Sequence, residues 1–468
     1  MLESSGYNGA RNRYCEEVDV DSGWRRTIST LGAVTVATVA MMTQATVHAQ
    51  NSPAAAGDRQ VSFTKDVAPI LQRSCQTCHR PGMMAPMSLL TYQDVRPWAR
   101  SIKTKVSSRE MPPWFVDKHV GIQKYKNDPS LSDAEIQTIA KWVDQGAPQG
   151  DPADMPPPRN FGELDVWHIE PTVVVKMPKP YMLKAHGPDE FIDVTIDPGF
   201  KEDMYVTAIE TRPIHITAYK VIHHATTNVI EDEDDPTGFF LNEYAIGKAA
   251  DVFPPDSGRL IRAGSKINFN LHMTPDGEET PVDVQLGLTV MPKRQVPKYV
   301  AFTQHMGDVV DLDIPAGQVV RNDGYFRLPK PALISAFQPH MHMRGKAQCM
   351  EAIYPDIRAD SARPGPARTE MLTCVSNFNF DWSVTYPYAD DVAPLLPEGT
   401  IIHVISWHDN TSGNKTNPDP NTWVGQGPRS IDDMSFAWVS LTYLEKGDFD
   451  QRAADRQKAK GRTQTQDR

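Results

Sequence analysis

Cysteine is scarce. Five in 468 residues are too few for a disulfide scaffold, so each has to be placed individually. A basic excess is also missing: 48 Lys and Arg stand against 59 Asp and Glu, a formal net charge of -11, which argues against nucleic acid as a partner. No apolar run reaches the ~18 residues of a membrane-spanning helix, so no stable membrane span is expected in the mature protein. No segment repeats at a fixed short period, which argues against a propeller or solenoid. Helical periodicity is nearly absent from residue 165 to 445, and the 39 prolines, about 8% of the chain against a usual ~5%, favour turns and short strands over a helix bundle. What the chain does have is length for two or three domains at ~150 residues each, and 14 histidines.

The N-terminus accounts for one cysteine and one histidine. Arg25-Arg26 precede an apolar and small-residue stretch, Leu31 to Met42, and Val47-His48-Ala49 follow before Gln50. These read as n-region, h-region and cleavage site, so residues 1–49 are expected to be a secretory signal, with an uncleaved membrane anchor as the alternative. The residues after the arginine pair fit a twin-arginine signal poorly. Cys15 and His48 leave with this segment, and the mature protein is expected to be exported, periplasmic or extracellular, where cysteine pairs form disulfides.

Cys75-Gln76-Thr77-Cys78-His79 is the first motif with chemistry. Two thiols two residues apart can both join the vinyl groups of one haem, and the adjacent histidine then becomes an axial iron ligand. Phe63, Val67, Ile70 and Leu71 form a helical stripe before it. After it, Ser132 and Glu135 form a capping box, and Ile139, Trp142 and Val143 continue one apolar face to Gly146. Two helices bracketing such a motif resemble a single-haem cytochrome c domain over residues 58–150. Its second axial ligand is assigned to Met111, between the motif and the last helix, with Met83, Met84 and Met87 as alternatives. Trp98 and Trp114 are expected to pack on the haem. A proline-rich linker, residues 151–164, follows.

Beyond it the apolar pattern alternates with period two, as in Phe191 to Ile196, Lys266 to His272 and Val282 to Leu286, which predicts antiparallel strands in sandwiches. Four places carry unusual polar chemistry. His223-His224 follow a strand-like run, and adjacent strand residues share one metal only where the strand ends or twists. His272 lies on the polar face of its strand with Asn268 and Asn270. His340 and His342 are two apart and project from one face, while Met341 and Met343 point the other way. Met434 begins an alternating strand. Imidazole with thioether and no clustered carboxylate suits copper better than zinc, calcium or magnesium. Cys349 and Cys374 lack a following histidine at blue-copper spacing, and a zinc hydrolase would lack its carboxylate base.

The order His223-His224, His272, His340-Met341-His342 and Met434, with Leu271-His272-Met273-Thr274, His342-Met343-Arg344-Gly345-Lys346 and Asn379-Phe380-Asp381-Trp382, resembles the copper type II, ascorbate-dependent monooxygenases. That group contains peptidylglycine alpha-hydroxylating monooxygenase and dopamine beta-monooxygenase, and the resemblance covers residues 165–447. It implies two jelly-roll-like sandwiches, residues 165–298 and 299–447, whose coppers face each other across a solvent-filled cleft. It further implies His223, His224 and His272 as ligands of an electron-transfer copper, and His340, His342 and Met434 as the catalytic ligands of an oxygen-binding copper. The reaction implied is O2-dependent hydroxylation of a C–H bond in a small-molecule or peptide substrate. The fused CxxCH segment departs from the best-known members, so electrons are expected through one covalent haem c, from a redox partner protein, or directly from ascorbate. The alternative reading is a non-catalytic electron-transfer or copper-handling protein.

The expected fold is therefore multidomain, with a small all-α cytochrome c domain followed by two antiparallel β-sandwich domains. Cys349 and Cys374 remain as one pair on neighbouring strands, so a disulfide is expected, with two buried thiols as the alternative. His408 is a candidate hydrogen-bond partner for the second copper site, although a structural role is favoured; His119, His168, His186, His215, His305 and His403 are read as surface or structural. Residues 448–468, charged and almost without apolar side chains, are expected to be disordered.

Overall fold

The capping box at Ser132 and Glu135 starts a helix: the Ser132 side chain accepts the Glu135 N–H, and the Glu135 carboxylate accepts the Ser132 N–H. Ile139 and Trp142 from this helix join Phe63, Val67 and Leu71 in a small helical core. The structure, a computed structural model, describes residues 59–466 apart from 82, 84, 162–166, 233–237, 246, 247, 249, 309, 356–367 and 383. The signal expected at residues 1–49 lies outside the described residues.

The first longer elements are α1 (Ala68–Ser74), α2 (Ala99–Ser107), β1 (Val116–Gly121) and α3 (Asp133–Asp144). The expectation of an all-α N-terminal domain is overturned here. β1 pairs antiparallel with a strand near residue 375, and Trp114, Phe115, Val116 and Tyr125 are buried in the core of the C-terminal half. The cause is local: Pro112-Pro113 end any helix, and the apolar run Trp114-Phe115-Val116 has no helical face to bury, so it adds to a sheet. Helices are few beside the strands and, before the C-terminal one, short, and residues 59 onward form one compact unit.

The N-terminal β half contains β2 (Glu190–Ile196), β3 (Met204–Pro213), β4 (Ile222–Ile230), β5 (Phe239–Ala245), β6 (Ser257–Ile261), β7 (Lys266–Met273) and β8 (Val284–Val290). Its four-stranded sheet, in the order β2-β7-β4-β5, shares one apolar core with β6, β3 and β8, built from Ile209, Ile222, Phe269, Leu271 and Leu286 among others. The C-terminal half contains β9 (Tyr299–Asp308), β10 (Val319–Arg327), β11 (Ala332–His340), β12 (Gly345–Ile353), β13 (Thr369–Val375), β14 (Ile401–Asp409) and β15 (Ser435–Tyr443). There a five-stranded sheet, β1-β13-β12-β14-β10, packs on β11, β15 and β9.

Both halves are thus sheet on sheet, as the alternating pattern predicts. They are not independent, because β9 pairs in parallel with β6, Tyr299 opposite Ser257 and Val300 opposite Gly258. The contact joins strands of both halves into one ten-stranded sheet. On β12 and β13, Cys349 lies opposite Cys374 and the two form a disulfide.

The C-terminal segment also departs from expectation, since α4 spans Lys446–Gln466. Phe449 packs on the C-terminal core, and the Arg456 guanidinium, two turns later on the same face, donates to the Ala393 carbonyl at 2.6 Å. Phe449, Arg456, the Asp448–Lys298 ion pair and Arg452 over the Tyr299 ring together dock a helix that composition alone marks as solvated. Among the described residues no helix is long and apolar enough to cross a membrane.

Candidate metal centres

His223 and His224 become neighbours in space through a defect in pairing. Along β4 and β7, His224 lies opposite His272, but the next paired residues are Ile222 and Met273, so β4 carries one extra residue at His223. Such a bulge breaks strict alternation and lets two consecutive side chains turn to one side. As a result, ligand nitrogens of His223, His224 and His272 all lie within 4.8 Å of one another.

The donor set fits a soft or borderline divalent or monovalent metal. His272 Nε2 lies 2.8 Å from Asp189 Oδ2, which fixes the proton on Nε2, while Nδ1 is buried without a hydrogen-bond partner. His223 Nδ1 and His224 Nδ1 face each other at 3.2 Å. Burial, followed by the neighbouring His272, lowers the pKa of both His223 and His224, so both are neutral lone-pair donors at neutral pH. Phe191 stacks on His272 at 4.2 Å and covers the cluster from one side.

The second group is organised by Asp433, a residue that carries no sequence signal of its own although it stands beside Met434. This carboxylate is fully buried. Its Oδ1 accepts the backbone N–H of His342 and of Met434, both at 2.8 Å, and its Oδ2 accepts that of Arg344 at 3.1 Å. It therefore ties the end of the His340-Met341-His342 motif to the residue before β15. Burial pushes the Asp433 carboxyl up, but His408 and the His342 N–H more than offset it and hold it below the usual range. His408 is itself fully buried, with Nδ1 3.3 Å from Asp433 Oδ1.

His340 and His342 stand with ring centroids 5.6 Å apart, and His342 Nδ1 meets the Asp432 carbonyl at 3.2 Å, leaving Nε2 as the free donor. Burial, then the adjacent His342, pushes His340 down to about 3, so it too is neutral. Met434 is half-buried, placed through Asp433. Phe380 sits between the two groups, its ring 5.7 Å from that of His223 and 5.7 Å from that of His342. One aromatic ring therefore lies near both groups.

The CxxCH segment is held compactly, with the His79 and Cys78 N–H groups donating to the Cys75 carbonyl at 3.0 and 3.1 Å. His79 Nδ1 faces the Met87 carbonyl at 3.3 Å, which leaves Nε2 available to a metal. Both thiols are free, and burial raises their pKa values, that of Cys75 to about 12. Met111 is half-buried after α2, where its N–H donates to the Lys105 carbonyl at 3.2 Å. Trp114 does not pack on this segment; it meets Tyr386 edge-on at 4.8 Å in the β core, and Trp98 is 42% exposed. Other histidines serve structure: His168 and His215 pair with Glu210 and Asp283, and His403 lies between Asp323 and Glu351.

No family model and no curated protein matches the sequence. Likeness to solved structures is faint. The infectious bursal disease virus VP2 subviral particle is 10% identical over 58% of this chain and 72% of that one, with a TM-score of 0.17. A secreted protein from Parabacteroides distasonis is 9% identical over 58% and 88%, with a TM-score of 0.16. At these values neither carries an argument about this chain.

Proposed function

We propose that this chain is an exported, haem- and copper-containing monooxygenase that inserts one atom of O2 into a substrate C–H bond. The observation that carries the reading is the convergence of His223, His224 and His272 at a bulge, with His340 and His342 on the other side of Phe380. When bound, copper supplies single-electron steps and a place for O2, and haem supplies electrons one at a time.

The protein's own groups do the positioning. Asp189 keeps the His272 proton on Nε2 and its Nδ1 lone pair towards the cluster. Asp433 holds the backbones of His342 and Met434 in register, so that two imidazoles and a thioether can serve one ion. Cys75 and Cys78 would carry the covalent haem bonds, and His79 would hold the iron through Nε2. Tyr244, buried on β5, meets Tyr219 edge-on at 5.7 Å, and its partner on β4 is Ala225, next to His224. The Cys349–Cys374 disulfide supports an exported location.

Metal analysis and stopped-flow spectroscopy test this reading. One haem and two coppers per chain are expected, His272→Ala should remove one copper, and O2 should reoxidise the reduced haem faster when both coppers are loaded. A single copper in the wild type, or haem reoxidation indifferent to copper, would overturn it.

A further inference from the structure

A cavity of about 960 Å³ lies where α1 and the start of α3 meet β1 and the end of β13, and its volume is that of a small-molecule site. No ligand residue of the CxxCH segment or of the two histidine groups is among its described lining residues. One wall is the apolar run Trp114-Phe115-Val116, in which Trp114 is 9% exposed. The Trp114 indole Nε1 is buried and has no hydrogen-bond partner among the described residues. A buried indole N–H ordinarily finds an acceptor, and leaving one unpaired is costly. The ring is held in place edge-on against Tyr386 at 4.8 Å and Tyr125 at 5.9 Å, so packing fixes where this donor stands. A bound molecule that presents an oxygen acceptor would satisfy it.

The polar walls decide the class of molecule. Arg73 pairs with Glu135 at 2.7 Å, Arg109 pairs with Asp133, and Lys118 donates to Ser130 Oγ and lies 3.6 Å from Asp128. Each arginine or lysine lining the cavity therefore has a carboxylate beside it, and Asp117 adds a further acid to the lining. A phosphate or carboxylate ligand would meet those carboxylates, and an ammonium ligand would meet the three cations; like charges brought together are unfavourable in either case. An uncharged hydroxyl is one donor and two acceptor lone pairs. It can accept from the indole and the guanidinium groups and donate to the carboxylates while the ion pairs stay intact. Asn377, exposed at the rim after β13, offers one more amide to the same chemistry.

We propose that this cavity binds a neutral carbohydrate of one or two rings, with Trp114 Nε1 donating to one of its oxygens. Ring C–H groups lie against the apolar wall, and hydroxyls meet the paired charges opposite. The proposal goes beyond the monooxygenase reading and does not depend on it, because the site is built from residues that neither histidine group uses.

Titration of full-length protein tests it. Glucose, N-acetylglucosamine and cellobiose are the neutral probes, and glucuronate and inorganic phosphate are the charged ones. Binding is followed by calorimetry and by NMR of the indole N–H signals in protein carrying 15N tryptophan. The Trp114 signal, identified by its loss in Trp114→Phe, should move on saturable binding of at least one neutral sugar. Trp114→Phe keeps an aromatic ring against Tyr386 but removes the donor, and it should weaken that binding about 5- to 10-fold, the worth of one hydrogen bond. Asn377→Ala, an exposed change, should weaken it about 3-fold and keeps the test open if Trp114→Phe does not fold. No neutral sugar binding, tighter binding of glucuronate or phosphate than of every neutral sugar, or sugar binding as tight in the variants as in wild type overturns the proposal. Each of these outcomes leaves the monooxygenase reading untouched.

Discussion

Replacing Asp433 with asparagine changes one atom of a fully buried side chain, and the structure sets the cost. With its remaining oxygen at the Oδ1 position, the new amide would still accept the N–H groups of His342 and Met434, but its NH2 would then meet the Arg344 N–H donor to donor. One buried N–H left unpaired costs about 1–3 kcal/mol, and loss of charge on the other two bonds costs roughly 0.5–1 kcal/mol each. The total is about 3 kcal/mol, a large share of a typical net stability of about 5–15 kcal/mol. Urea unfolding of metal-free wild type and Asp433→Asn, followed by circular dichroism, measures it. The same variant should load the His340/His342/Met434 site poorly while retaining copper at the three-histidine site. An Asp433→Asn protein within about 0.5 kcal/mol of wild type, with both coppers bound, would refute the assignment of Asp433 as the residue that organises the second group.

Three further outcomes follow from the same geometry. Reduction of the Cys349–Cys374 disulfide, or its replacement by two serines, opens the loop across the 25-residue separation and should cost about 3 kcal/mol in urea unfolding; a change under about 1 kcal/mol contradicts it. Trp114→Ala should cost about 3–5 kcal/mol and make the 59–125 segment susceptible to limited proteolysis, since Trp114 fastens it to Tyr386; resistance equal to wild type would count against that joint. Glu243 has a folded-state pKa raised above its ordinary value of 4.5, so its contribution is fully present below that value and is lost as pH rises through the folded value. Glu243→Gln, which never ionises, should therefore gain on wild type as pH rises past the usual carboxylate range, and parallel stability curves would contradict this.

The alternating apolar pattern after residue 165 suffices to read sheet-on-sheet halves, because strand burial is written with period two. Two histidines on adjacent strand positions demand a break in that period, and the bulge at His223 is the break. What local pattern does not show is pairing between distant strands. β1 lies inside a segment that reads as all-helical and separate, and only β13, distant in sequence, gives it an edge, so that segment is neither. The parallel contact between β9 and β6 is equally non-local. Asp189, Asp433 and Glu243 escape notice for a related reason: an acidic residue signals burial only through the partners that other strands bring. Phe380 stands within a recognised phrase, but its position between the two histidine groups requires the fold. In α4, a few anchors on one face, Phe449, Arg452 and Arg456 with the Asp448–Lys298 pair, outweigh a composition that predicts disorder.

The central claim is oxygen insertion at a two-copper centre, and mass spectrometry of products formed under 18O2 tests it most directly. Haem- and copper-loaded protein, given a reductant and a panel of small-molecule and peptide C–H donors, should yield one hydroxylated product carrying a single 18O atom, and His272→Ala and His342→Ala should each abolish it. Fully loaded protein that consumes O2 without label entering any donor, or product formed equally well by both variants, would contradict the account.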